Sequence, residues 1–184
     1  MRKLAPLVLL MACSPVDQQS VRTVAAVEIP LRVAADRTDL LSILRRQAAT
    51  DTDLHVDDVS DRWRDLASKS KGLPPEVQGS FYVGVWRGAN DDDIEADASD
   101  MGHKGRVWLT FPKGRQPQRS AKFRTRLLAA IHGRWPNAQA IPVTPSGGMP
   151  LPDDLRLTGA GYKIAKSAAA RYQLPASSPM IAPE

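Results

Sequence analysis

Two segments, Ser80–Gly88 (SFYVGVWRG) and Gly105–Gly114 (GRVWLTFPKG), alternate with a two-residue period. In the first, Phe81, Val83 and Val85 oppose Tyr82, Gly84 and Trp86; in the second, Val107, Leu109 and Phe111 oppose Trp108 and Thr110. A period of two sends successive side chains to opposite faces of a strand. Both faces of both strands are therefore largely apolar. A sheet made from them must be covered on two sides, or it presents an aromatic patch to solvent. Trp86 and Trp108 fall on the second face and mark it as a candidate binding surface, although tryptophan is more often buried, here beneath the C-terminal segment.

The flanking segments supply the cover. From Thr38, a residue able to cap a helix, Leu40, Leu41, Leu44 and Ala48 recur at helical spacing, with Arg45 and Arg46 placed where the helix dipole favours cations. A second helix is expected from Ser120 to the stop at Pro136, with Phe123, Leu127, Ile131 and Trp135 as its buried stripe. Residues 24–34 read as a strand that Pro30 restricts to a sheet edge. Asp53–Ser60 (DLHVDDVS) reads as a short strand, and Ser60 as the cap of a brief helix carrying Trp63 and Leu66. Ala140–Thr144 (AIPVT) is a last strand candidate. The order strand, helix, strand, strand, strand, helix, strand resembles a small ferredoxin-like α+β sandwich, with an antiparallel-rich sheet, two main helices and one surplus strand. That domain spans 24–144. A Pro-, Gly- and Ala-rich extension, 145–184, is expected to wrap it, with a small strand at Tyr162–Ile164 and a helical turn after Ser167, and to end disordered.

Between the two strong strands lies ANDDDIEADASDMGH, where Asp91, Asp93, Glu95 and Asp97 alternate. Read as a long connecting loop, it is a candidate binding surface for a cation or a protein partner. The first spacings mimic a calcium loop, but Ala96 stands where such a loop turns on Gly, and Gly102 where it needs a bidentate Glu. A solvated acidic loop without metal is the expectation, and no cofactor is implied. His55, His103 and His132 lack zinc-ligand spacing, and no nucleophile elbow or phosphate loop is present. An acid/base site built on His103 with Asp97 or Asp100, or on His55 with Asp57, defines a periplasmic hydrolase as the alternative reading.

The N-terminus speaks to location. Arg2 and Lys3 precede the apolar run Leu4–Ala12, which at nine residues is about half the length of a membrane crossing and has the order of a secretory signal. Leu10, Met11, Ala12 and Cys13 resemble the lipobox of bacterial lipoproteins. The resemblance implies cleavage before Cys13, diacylglycerol on its thiol, and residues 13–23 as a polar tether; Ser14 in the next position implies sorting to the periplasmic side of the outer membrane. Cys13 is the only cysteine, and an exported chain with one cysteine has no internal disulfide partner for it. Residues 13–100 carry 10 Lys and Arg against 17 Asp and Glu, whereas residues 101–184 carry 13 against 3. The halves are expected to fold together and partly neutralise one another. In that compartment the available partners are envelope components or proteins, not nucleic acid. A non-enzymatic binding or accessory module, for example an immunity-type inhibitor, is the leading expectation.

Overall fold

The computed structural model describes residues 21–69, 81–89, 93–100, 105–159 and 161–172, apart from the side chains of 63 and 66–68. Six strands, β1 (Thr23–Pro30), β2 (Leu54–Asp58), β3 (Tyr82–Arg87), β4 (Asp93–Ser99), β5 (Arg106–Pro112) and β6 (Gln139–Ala140), form a sheet in the order β2-β3-β4-β5-β1-β6. Every neighbouring pair is antiparallel. Helix α1 (Ala34–Ala48) links β1 to β2, and α3 (Pro117–Arg134) links β5 to β6. Each helix thus joins two strands that run the same way with other strands between them, so the chain makes two split βαβ units. This is an α+β sandwich with two main helices, its central hairpin lengthened into the meander β2-β3-β4-β5. A short helix α2 (Ser60–Lys69) follows β2, and a separate hairpin, β7 (Leu155–Thr158) with β8 (Gly161–Ile164), closes the described chain together with a final helical turn at Ala169–Tyr172.

The core forms where the expected apolar stripes meet. Phe123, Leu127, Ile131 and Trp135 from α3 and Leu40, Leu44 and Ala48 from α1 are buried against one sheet face. That face carries Val83 and Val85 of β3 and Val107, Leu109 and Phe111 of β5. On the opposite, outer face, Ala26, Trp108 and Ile141 form a smaller cluster covered by Val143, Met149, Leu155 and Tyr162 of the C-terminal segment.

Several expectations are corrected. β1 is not an edge strand but lies between β5 and β6. Pro30 is its last residue, so the missing N–H falls outside most of the ladder. Helix α1 starts at Ala34 rather than after Thr38, because the Asp36 carboxylate turns back to accept the N–H groups of Arg32 and Val33 at 2.8 and 3.1 Å. Ser60 is itself the first residue of α2; its hydroxyl bonds Asp58 at 2.6 Å and accepts the N–H of Tyr82 at 3.0 Å, tying the helix to β3. The side chains of Trp63 and Leu66 lie outside the described residues. Of AIPVT only Ala140 is in a strand, paired with Val27. The sheet gains two strands over a ferredoxin-like order, not one. The extension does pack on the domain through Tyr172, with Asp154, Ala165 and Ala168 buried and β8 and the final helical turn where they are expected; β7 is the strand that its composition concealed, and the end expected to be disordered lies outside the described residues.

Truncating Leu127 to Ala is expected to cost about 2–5 kcal/mol, since buried methylenes are lost and a cavity remains. Lys122→Ala, on the exposed side of α3, should stay within about 0.5 kcal/mol. Chemical denaturation of the two variants checks the orientation of the helix.

Candidate functional site

The acidic segment is not a loop. Residues from Asp93 onward form β4, an interior strand hydrogen-bonded to β3 and β5. Its alternation does not put the carboxylates on one face, because the ladder slips: Trp86 pairs with Ile94, but Val85 pairs with Ala96. Glu95 is the extra residue of a β-bulge, and a bulge reverses the facing of everything beyond it. Asp93 and Glu95 therefore point under the helices, and Asp97 points to the outer face. Asp91 lies outside the described residues.

Beneath the helices the two acids meet dedicated partners. Glu95, 1% exposed, accepts a hydrogen bond from Arg87 Nε, and Arg87 is itself 3% exposed. Arg87 Nη1 also bonds Asp51 at 3.0 Å, and Asp51 is shared with Arg119 at 2.7 Å. Burial would lower the Arg87 pKa, but the hydrogen bonds and charges of Glu95 and Asp51 outweigh it and raise it above the ordinary arginine value. Asp51, against the same opposing effect of burial, is held below the usual carboxylate range by Arg87 and Arg119. Asp93, also buried, accepts the Arg115 N–H at 3.1 and 3.2 Å just ahead of α3, where the helix dipole favours an anion. The turn between them passes Gly114 at φ +73°, and a Cβ there would collide with Ser120 Oγ. These acids are structural ties. Among the described residues no three His, Cys, Asp or Glu side chains gather closely enough to hold a metal ion.

The outer face divides in two. Over β2, β3 and β4 it carries His55 and Asp57, then Tyr82, Gly84 and Trp86, then Ile94, Asp97 and Ser99. Tyr82, Trp86, Ile94 and Asp97 are all half-buried. The indole of Trp86 lies across Gly84 so closely that any Cβ at that position would strike it, which accounts for glycine in mid-strand. Asp97 accepts the Thr110 hydroxyl at 2.8 Å, yet burial still raises its pKa, and its charge helps to raise that of Tyr82, whose own burial is the larger cause. Over β5, β1 and β6 the same face is closed by the C-terminal segment. Trp108 is buried there and donates its Nε1 to Glu28 at 3.0 Å, while the Tyr162 hydroxyl donates to the other Glu28 oxygen at 2.8 Å.

The two tryptophans do share a face, but only Trp86 remains half-exposed on it. His103 lies outside the described residues. Asp100, buried at the end of β4, meets Arg37 at 3.6 Å, and His55 stands exposed on β2. The opposite charges of the two halves pair in part: Arg119 reaches Asp51 and Asp53, and Arg134 reaches Asp36 and Asp39. Arg45, Arg46, Lys122 and Arg124 make no ion pair among the described residues and leave the helical layer basic. What sequence reasoning missed was Arg87 and Glu28, each a single charge within an apolar alternation. The signal was that the core-facing period of β3 ends on an arginine.

Comparison with protein-family models, with curated proteins and with solved structures returns no match to this chain.

Because the folded state raises the Asp97 pKa above its unfolded value, the ionised carboxylate weakens the fold. That cost is absent below about pH 3.9, sets in as the pH climbs through the folded pKa, and is complete above it. Asp97→Asn, which keeps an acceptor for Thr110, should therefore raise the melting temperature at pH 7 and leave it unchanged at pH 3; thermal scans at the two pH values check this.

Proposed function

We propose that the chain is a lipoprotein anchored through Cys13 to the periplasmic side of the outer membrane, and that its α+β domain is a non-enzymatic module binding an envelope component or a protein. The observation that carries the binding reading is the separation of the titratable side chains along β4. Asp93 and Glu95 are consumed beneath the helices, Asp100 faces Arg37, and Asp97 stands on a sheet face beside Tyr82 and Trp86. A hydrolase needs an acid and a base directed at one point. A half-exposed aromatic patch that carries the single β4 carboxylate Asp97 and is bordered on β2 by the exposed His55 and Asp57 has the composition of a contact surface, where Trp and Tyr supply area at small entropic cost. Accessory and immunity-type roles both use such a surface.

The anchor is supported by Leu10–Cys13 and by the absence of a second cysteine. Those residues lie outside the described ones. Among the described residues no helix is long and apolar enough to cross a membrane. Two acyl chains would hold the protein in the bilayer stably, at about 0.8 kcal/mol for each buried methylene.

Metabolic labelling with an alkyne palmitate should mark the wild type and not Cys13→Ser, because a hydroxyl supplies no thiolate for diacylglyceryl transfer. Equal labelling of the two would remove the anchor. A photo-crosslinking residue placed at 86 in cells should capture a discrete partner, while the same residue at 122, on the opposite layer, should not; capture at 122 alone would move the binding surface to the helices.

A further inference from the structure

Between the outer sheet face and the C-terminal hairpin runs a cleft of about 540 Å³, walled by Trp108, Leu155, Leu157 and Tyr162 and flanked by Arg32 and Arg106. Its volume falls within the range of about 300–1,000 Å³ typical of small-molecule sites. Its charges are unequally engaged. Glu28, at the base, is fully used: one oxygen takes the Tyr162 hydroxyl and the other the Trp108 indole N–H. The Arg106 guanidinium approaches Glu28 only to 3.8 Å and is 55% exposed at its side chain. The Arg32 side chain makes no ion pair among the described residues, its backbone N–H alone being bound, to Asp36. The Arg32 guanidinium is therefore open to a ligand, Arg106 is held only by its long contact with Glu28 and by the Tyr162 hydroxyl, and no carboxylate is left over.

Of the apolar wall, Trp108 and Leu155 pack into one cluster and Leu157 is left open. Leu157, in the wall, is 62% exposed; Leu151 and Val33, next in sequence to the lining residues Pro152 and Arg32, are 59% and 60% exposed. The two other exposed large hydrophobic side chains among the described residues, Val21 and Val24, are less open, at 54% and 43%, so the most exposed of them, Leu157, is the one in the cleft wall. Guanidinium groups beside an apolar wall recognise a carboxylate or phosphate, by paired N–H donors, together with the hydrocarbon attached to it.

We infer that this cleft binds an anionic amphiphile, a single carboxylate or phosphate head held by Arg32 and Arg106 with its short apolar chain laid along Trp108, Leu155 and Leu157. The inference goes beyond the aromatic patch at Trp86 and does not depend on the lipid at Cys13. A free fatty acid and a monoalkyl phosphate share this chemistry.

The full-length Cys13→Ser chain, titrated below the micelle concentration with decanoate, decyl phosphate, decanol and inorganic phosphate, separates the contributions of head and chain. One-to-one saturable binding of decanoate or decyl phosphate is expected, with the tighter of the two identifying the head, and decanol and inorganic phosphate at least tenfold weaker. Arg32→Gln with Arg106→Gln should lower that affinity at least tenfold while the circular dichroism spectrum stays unchanged; Leu157→Ser, which leaves every charge in place, should also weaken it. Decanol binding as tightly as decanoate, an unchanged affinity in the double arginine variant, or no saturation by either anion would overturn the inference. None of these results alters crosslinking at 86 or labelling at Cys13, so failure here is distinguishable from failure of the binding-module reading.

Discussion

The buried pair of Arg87 and Glu95 fixes how the sheet is read. A charge without a partner in that position would cost several kcal/mol, and so would its removal from the other side. The pair is tolerable only because each member is brought to the other by the β3–β4 hairpin, and because Asp51 and then Arg119 continue the chain of opposite charges into the helical layer. Glu95 reaches Arg87 by taking the extra place in a bulge. From that single slip follow the inward direction of Asp93, the contact of Asp93 with the backbone ahead of α3, and the outward direction of Asp97. The bulge thus joins the end of the sheet to the start of the second long helix and determines which carboxylate meets solvent.

Much of the architecture was legible in the sequence because hydrophobic period is a local signal. The stripe Phe123, Leu127, Ile131 and Trp135 is buried as spaced, and so are the inward residues of β3 and β5. Element order sufficed for the two βαβ units. The candidate site was less legible, for a physical reason: a run of acids reads as solvated unless something neutralises it, and the neutralising groups are Arg87 in an apolar alternation and the N–H of Arg115, a backbone atom. Neither is visible as a pattern. Charge within a strand therefore resembles a solvated loop, and β4 carries no strand signal of its own. The strand β7 was hidden in the same way, by prolines and glycines around it that mark turns without saying what the turns connect.

The two faces of the sheet carry different burdens. The inner face is closed by two helices and holds the core together with the buried charges. The outer face is closed only over β5, β1 and β6, where Glu28 fastens Trp108 and Tyr162, and over β2, β3 and β4 it leaves Tyr82, Trp86 and Ile94 half-exposed. Rigid strands present these side chains with little entropy left to lose. The basic helical layer faces away from both the patch and the cleft.

The most direct test of the bulged ion pair is a double-mutant cycle read by urea denaturation. Arg87→Met leaves Glu95 buried and alone and should cost about 3–5 kcal/mol. Adding Glu95→Leu removes the stranded charge, while Asp51 keeps Arg119, so the double variant should recover most of that loss. Wild-type stability in Arg87→Met, or losses that simply add in the double variant, would show that the two side chains do not meet in the interior and would contradict the inward turn of β4.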